Sequence, residues 1–176
     1  ELEQASPWTM DTLFEYFLSS DGRKGNGERG KLVYAKAQCA SCHRMGNDGT
    51  AIGPDLSTVA NRFTRNEVIE SILFPSHVIS DQYRSQTVLT SEGKIFTGII
   101  SKTPSGALLV RDSQLQEHLV AEQDVDEMKP SKTSMMPSGL LDNLTAAEIR
   151  DLMTFLGFVP DERQQVANVK ELHLKR

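Results

Sequence analysis

The length, composition and charge of this chain fit a folded domain and argue against nucleic acid as a partner. Its 176 residues, 38% hydrophobic and 24% charged, suffice to bury a core and predict one domain with room for a small insertion. The formal net charge is −5, and no basic patch with interleaved aromatic residues is present. No apolar run approaches the roughly 20 residues that span a bilayer, so no transmembrane segment is predicted.

Hydrophobic periodicity and capping residues predict four helices. The first covers about residues 9–19, and the second covers residues 30–38 and runs directly into the cysteines. The third, residues 64–74, and the last, residues 145–157, each begin with a capping box, a threonine followed three positions later by a glutamate. These helices would form the main body of the fold.

A different pattern between the third and last helices predicts strands. Residues 86–90 and 94–100 are rich in β-branched and aromatic side chains, and residues 107–110 and 118–120 form two shorter runs of the same kind. We therefore expect a small antiparallel sheet, at about residues 83–126, inserted into a mainly α domain.

The most specific motif is Cys39-Ala40-Ser41-Cys42-His43, a C-x-x-C-H run that contains both cysteines of the chain. This spacing is typical of covalent haem attachment. Each thiol can form a thioether with one vinyl group of the same porphyrin, and the adjacent histidine can ligate the iron. The motif therefore predicts one covalent haem c, bound by Cys39 and Cys42 and ligated by His43, and it leaves no cysteine for a disulfide.

Three alternatives to haem attachment stay open for these cysteines. A thioredoxin-like dithiol would be expected within a βαβ pattern, which the surrounding sequence lacks. A zinc site would need a second group of cysteine or histidine ligands, whereas His77, His118 and His173 each stand alone. The third alternative is a pair of buried thiols beside an unrelated histidine. We favour haem attachment, because the histidine directly follows the second cysteine.

The six methionines of the chain include candidates for a second iron ligand. Met136 lies in a loop of serine, lysine, threonine and glycine residues, and Pro137 favours an extended backbone before it. A methionine ligand raises the reduction potential of haem iron and suits electron transfer. We therefore predict Met136 as the second ligand, with Met135, His77, His118 and an open site as alternatives.

The order of these parts resembles class I cytochrome c: a helix that ends in the haem motif, then Gly53-Pro54-Asp55-Leu56, then Met136-Pro137, then a final helix. The resemblance implies the class I cytochrome c helical fold around one haem. It also implies that the carbonyl of Pro54 accepts a hydrogen bond from Nδ1–H of His43, which would fix the imidazole tautomer and raise its basicity.

The same resemblance implies that the first and last helices of the cytochrome fold cross at a glycine and an aromatic pair. Gly30 and Tyr34, opposite Phe155, occupy the matching positions.

A closer resemblance is to the haem-binding cytochrome c domain common in Planctomycetes and Verrucomicrobia. It depends on the strand-rich insertion, on Tyr83 and on three sequence stretches: Ser71-Ile72-Leu73-Phe74-Pro75-Ser76, Phe96-Thr97-Gly98 and Ser134-Met135-Met136-Pro137-Ser138-Gly139-Leu140-Leu141. We divide the chain into an N-terminal helix and linker (1–24), a cytochrome c domain (25–160) and a C-terminal tail (161–176). The resemblance implies an exported protein, often the C-terminal part of a larger one that resembles a sugar dehydrogenase.

The predicted function is single-electron transfer by a monohaem domain that is not itself an enzyme. Its partner would be a dehydrogenase or another cytochrome. Because bacteria attach haem c outside the cytoplasm, we expect a periplasmic or otherwise exported protein, although the chain shows no signal peptide. The alternatives are a haem-based gas or redox sensor and, less favoured, a peroxidase, which would need an acid–base residue at an open iron site.

Overall fold

The computed structural model describes residues 6–159, which form two compact units. Residues 6–68 and 141–159 form the first unit, and Ile69–Leu140 form the second. The predicted tail at residues 161–176, which includes His173, and the first five residues lie outside the described part of the chain.

Four α-helices form where capping and periodicity predict them. They are α1 (Met10–Leu18), α2 (Gly27–Lys36), α3 (Arg65–Leu73) and α4 (Ala146–Phe155). Three of them begin at a threonine whose side chain forms a capping box with the residue three positions later. Within residues 6–159, no helix has both the length and the hydropathy to cross a bilayer.

Helix α2 begins three residues earlier than predicted, because the Asn26 side chain accepts a hydrogen bond from the backbone N–H of Arg29 and caps the helix. It ends at Lys36, and Gln38 then adopts a left-handed backbone with φ of 61°. This turn directs the chain out of the helix immediately before the cysteine motif.

Helices α2 and α4 cross closely in the first unit, and the crossing predicted at Gly30, Tyr34 and Phe155 is confirmed. A Cβ atom on Gly30 would lie 2.0 Å from the backbone oxygen of Asp151 and 2.7 Å from Cβ of Phe155. The rings of Tyr34 and Phe155 pack with their centroids 5.3 Å apart. Only a residue without a side chain fits this contact.

A buried polar group reinforces the same crossing. The Asp151 carboxylate, on α4, accepts hydrogen bonds from the backbone N–H of Asn26 at 2.9 Å and from Nε of Arg29 at 2.6 Å. Arg150 also donates to it, from Nε at 3.0 Å. This cluster fixes the start of α2 against α4.

A short hairpin in the first unit consists of β1 (Arg44–Met45) and β2 (Asp48–Gly49). The second unit contains five strands: β3 (Gln86–Thr90), β4 (Ile95–Lys102), β5 (Leu108–Arg111), β6 (Glu117–Val120) and β7 (Val125–Pro130). They form one antiparallel sheet in the spatial order β6-β5-β4-β3-β7. One face of the sheet buries a cluster of Val88, Leu108, Val110 and Val120.

The prediction of a mainly α chain is wrong. Strand residues make up 20% of the residues that the structure describes, and this part of the chain contains a five-stranded sheet as well as four helices. The sheet is larger than predicted because β7 pairs with β3 over Gln86–Thr90. Strand β7 is polar, ends in Pro130 and is exposed after its first residue. It therefore lacks the apolar alternation by which a strand is predicted from sequence.

Candidate haem-binding site

The cysteine motif forms a tight turn. Cys39–Ser41 is a short 3₁₀ helix, and the N–H groups of Cys42 and His43 both donate to the carbonyl oxygen of Cys39, at 3.2 and 2.9 Å. Both thiols are free and partly exposed. The turn therefore presents two unpaired thiols and a histidine on one short segment.

The following loop is fastened to this turn by backbone hydrogen bonds. The N–H of Thr50 donates to the carbonyl of Ala40 at 3.1 Å, and the N–H of Gly53 donates to the carbonyl of Cys42 at 2.7 Å. These bonds bring the loop's end, Gly53-Pro54, back against the motif.

The imidazole of His43 meets Gly53 and Pro54 there. Nδ1 of His43 lies 2.8 Å from the carbonyl oxygen of Pro54, the contact that the resemblance implies. Because a carbonyl can only accept, Nδ1 carries the proton, and Nε2 keeps the lone pair that can bind a metal. A Cβ atom on Gly53 would lie 2.9 Å from Cε1 of His43, so this close approach requires glycine.

An ion pair holds the Pro54 segment in place. Nε of Arg44 donates to Oδ2 of Asp55 at 2.9 Å, and the N–H of Leu56 donates to the carbonyl of Arg44 at 2.8 Å. Hydrogen bonds from Ser57, and then from Arg44, hold the pKa of Asp55 well below its usual value. The carboxylate is thus ionised at neutral pH and tethers the residue after Pro54 to the residue after His43.

Two residues that the sequence does not assign to the site contact the backbone carbonyl of His43. The hydroxyl of Tyr34 donates to this carbonyl at 2.7 Å. The backbone of Gly49, with φ of 88°, approaches the same oxygen so closely that a Cβ atom there would lie 2.1 Å from it. The sequence predicts Tyr34 only as a packing aromatic, because no sequence pattern indicates the direction of a hydroxyl.

The electrostatics of the cysteines argue against a redox dithiol. Burial raises the pKa of Cys39 to about 11, and burial also raises the pKa of Cys42. Reactive dithiols instead have lowered pKa values, because the thiolate is their nucleophile. Two protonated thiols beside a histidine with a free Nε2 are a donor set that fits covalent haem. Within the described residues, no group of three or more His, Cys, Asp or Glu side chains could share a metal ion.

Met136 lies in the second unit, in a loop held by serine residues. Its N–H donates to Oγ of Ser134 at 3.1 Å, and the N–H of Ser134 donates to Oγ of Ser76 at 3.0 Å. The hydroxyl of Ser85, itself 1% exposed, donates to the carbonyl of Thr133 at 3.0 Å. Met136 therefore lies in an ordered loop, and its side chain is only partly buried.

The other candidate ligands have different surroundings. Met135 is partly buried like its neighbour, and His77 is exposed, with Nδ1 3.4 Å from a carboxylate oxygen of Glu70. Nε2 of His118 lies 2.8 Å from Oδ2 of Asp112.

Comparison with known proteins shows what part of the chain is similar to. No curated protein matches the chain. Residues 27–86 match the family model described as Cytochrome c. The match includes α2, the cysteine motif, Pro54 and α3. A domain of this family implies covalently bound haem c, electron transfer with a redox partner and, typically, export. Residues 27–86 are therefore similar to a cytochrome c domain.

Proposed function

We propose that this protein carries single electrons through one haem c, which Cys39 and Cys42 bind covalently and His43 and Met136 ligate. The observation that carries the proposal is the 2.8 Å contact of His43 Nδ1 with the Pro54 carbonyl. It fixes the proton on Nδ1 and leaves Nε2 as the ligating atom, on the same turn as two protonated thiols. The haem would supply an iron that alternates between its ferric and ferrous states.

The chain's own role is to keep the ligand geometry unchanged between those states. The N–H of His43 is bonded to Cys39, its carbonyl to Tyr34 and its imidazole to Pro54. A ligand held at three atoms moves little when the iron changes charge, which favours rapid electron transfer. The carbonyl partner on Nδ1–H also makes the imidazole a more basic ligand.

The choice of Met136 is supported by its loop. Serine hydroxyls accept hydrogen bonds from the N–H groups of Ser134 and Met136, and Pro137 restricts the backbone of Met136. A loop held in this way can present one side chain in a constant orientation, as an axial ligand requires.

We further propose that the domain belongs to the Planctomycetes and Verrucomicrobia type and works in the periplasm or another exported location. Its partner would be a dehydrogenase or another cytochrome, and the domain itself would catalyse no bond-making reaction. The sheet of the second unit supports this subtype, because the sequence resemblance includes a strand-rich insertion between the two iron ligands.

The test is to mature the protein with haem and to compare Met136→Ala with the matched control Met135→Ala. The ferric wild type should be low-spin and show the weak near-infrared sulfur-to-iron band of a methionine ligand. We expect Met136→Ala to lose this band and Met135→Ala to keep it. The reverse result would reject Met136 as the ligand. Rapid, complete binding of CO to the reduced wild type would reject stable ligation by methionine and favour the gas-sensor alternative.

A further inference from the structure

The hydroxyl of Tyr34 has a role that packing does not explain. The side chain is 1% exposed, and its ring packs against Phe155 where α2 crosses α4. Phenylalanine would fill the same space. The hydroxyl instead donates to the backbone carbonyl of His43 at 2.7 Å.

The carbonyl that Tyr34 contacts is enclosed. The Gly49 backbone lies against it, closely enough to exclude a Cβ atom. The N–H of His43 is bonded to the carbonyl of Cys39 at 2.9 Å. Hydrogen bonds at both the N–H and the carbonyl of His43 therefore restrict its backbone. The imidazole extends from this backbone to the carbonyl of Pro54.

We propose that Tyr34 is a positioning residue for the iron ligand. Its hydroxyl fixes the peptide group of His43 and thereby keeps Nδ1–H on the carbonyl of Pro54. Through this bond, the packing between α2 and α4 is coupled to the orientation of the imidazole. The inference rests on the proposed function, since it takes His43 as the ligand of the haem.

The test uses Tyr34→Phe in the haem-loaded protein, because phenylalanine retains the ring that packs on Phe155. Nuclear magnetic resonance of the ferrous protein would follow hydrogen exchange at His43 Nδ1–H. We expect exchange to be on the order of tenfold faster, the factor that corresponds to losing one hydrogen bond of ordinary strength. The reduction potential should rise, because a less firmly bonded imidazole is a less basic ligand and stabilises ferric iron less.

A matched control separates positioning from a general loss of stability. Ile149, on α4, is fully buried, and Ile149→Val removes one methylene group from the same unit. This variant should lower stability while leaving both the exchange rate and the potential at wild-type values. Equal changes in the two variants would overturn the inference, and so would a Tyr34→Phe protein with unchanged exchange and potential.

The failure of the proposed function would look different. A haem-loaded wild type in which His43 does not ligate the iron would reject the function, and the inference with it. If His43 does ligate the iron, but Tyr34→Phe changes neither the exchange rate of His43 Nδ1–H nor the reduction potential, the inference alone is rejected.

Discussion

The imidazole of His43 lies directly against the backbone of Gly53, where a Cβ atom would be 2.9 Å from Cε1 and 3.1 Å from Nδ1. The glycine is needed because the ring must come this close for Nδ1 to reach the carbonyl of the next residue, Pro54, at 2.8 Å. The position of the predicted ligand thus depends on the absence of one methyl group.

Gly53→Ala should therefore displace the imidazole and weaken its bond to Pro54. We expect less haem-loaded protein after maturation and a raised reduction potential in the protein that does form, measured by absorbance and by redox titration. Gly27→Ala is the control, because no heavy atom lies within 4 Å of its Cβ position and its φ, like that of Gly53, is not positive. Equal effects in the two variants would show that contact with His43 is not responsible.

Gly30→Ala should destabilise the first unit by about 3 kcal/mol, because the new methyl group would meet the backbone of Asp151 at 2.0 Å and force α2 away from α4. The measurement is chemical denaturation followed by circular dichroism. Gly27→Ala, in the first turn of the same helix, meets no atom within 4 Å and should leave stability unchanged or slightly higher. A Gly30→Ala protein as stable as the wild type would contradict the close crossing.

Asp151→Asn should destabilise the protein by about 3 kcal/mol at neutral pH, because it removes the buried carboxylate that Arg29 and Arg150 contact and leaves the buried Arg150 only the more exposed carboxylate of Asp21. Burial alone would raise the pKa of Asp151, but hydrogen bonds from Arg29, Arg150 and the N–H of Asn26 lower it. The ionised carboxylate therefore stabilises the fold above the unfolded-state pKa near 3.8, and this contribution disappears as pH falls through the lower native pKa.

The stability difference between wild type and Asp151→Asn should consequently shrink as the pH falls below the unfolded-state pKa near 3.8 and through the lower native pKa. Denaturation curves at neutral and acidic pH would measure it. Asp126→Asn, which alters an exposed carboxylate on β7, is the control and should cost little at either pH. A difference that stays constant with pH would show that Asp151 does not act as a charge.

The features that sequence predicted well are those set by neighbouring residues. The capping boxes at Thr64 and Thr145 locate the starts of two helices, and the C-x-x-C-H spacing identifies the turn of the haem motif. These patterns need no knowledge of the rest of the chain, because the groups that satisfy each other lie within one helical turn.

The features that sequence missed depend on distant partners. Strand β7 has little apolar character and is a strand because β3 supplies its hydrogen-bonding partner. Asp151 resembles an ordinary charged residue until α2 places Asn26 and Arg29 against it. The mainly α fold class failed for the same reason, since the extent of the sheet follows from pairing and not from local composition alone.

The contacts that hold His43 are close along the chain. Tyr34 precedes it by 9 residues and Pro54 follows it by 11, so both bonds close short loops. Loops of about ten residues close within about 10–100 ns, far faster than whole domains fold. Both bonds can therefore begin to form while most of the chain is still unfolded, and the packing of Phe155 on Tyr34 then holds them in place once the last helix has folded.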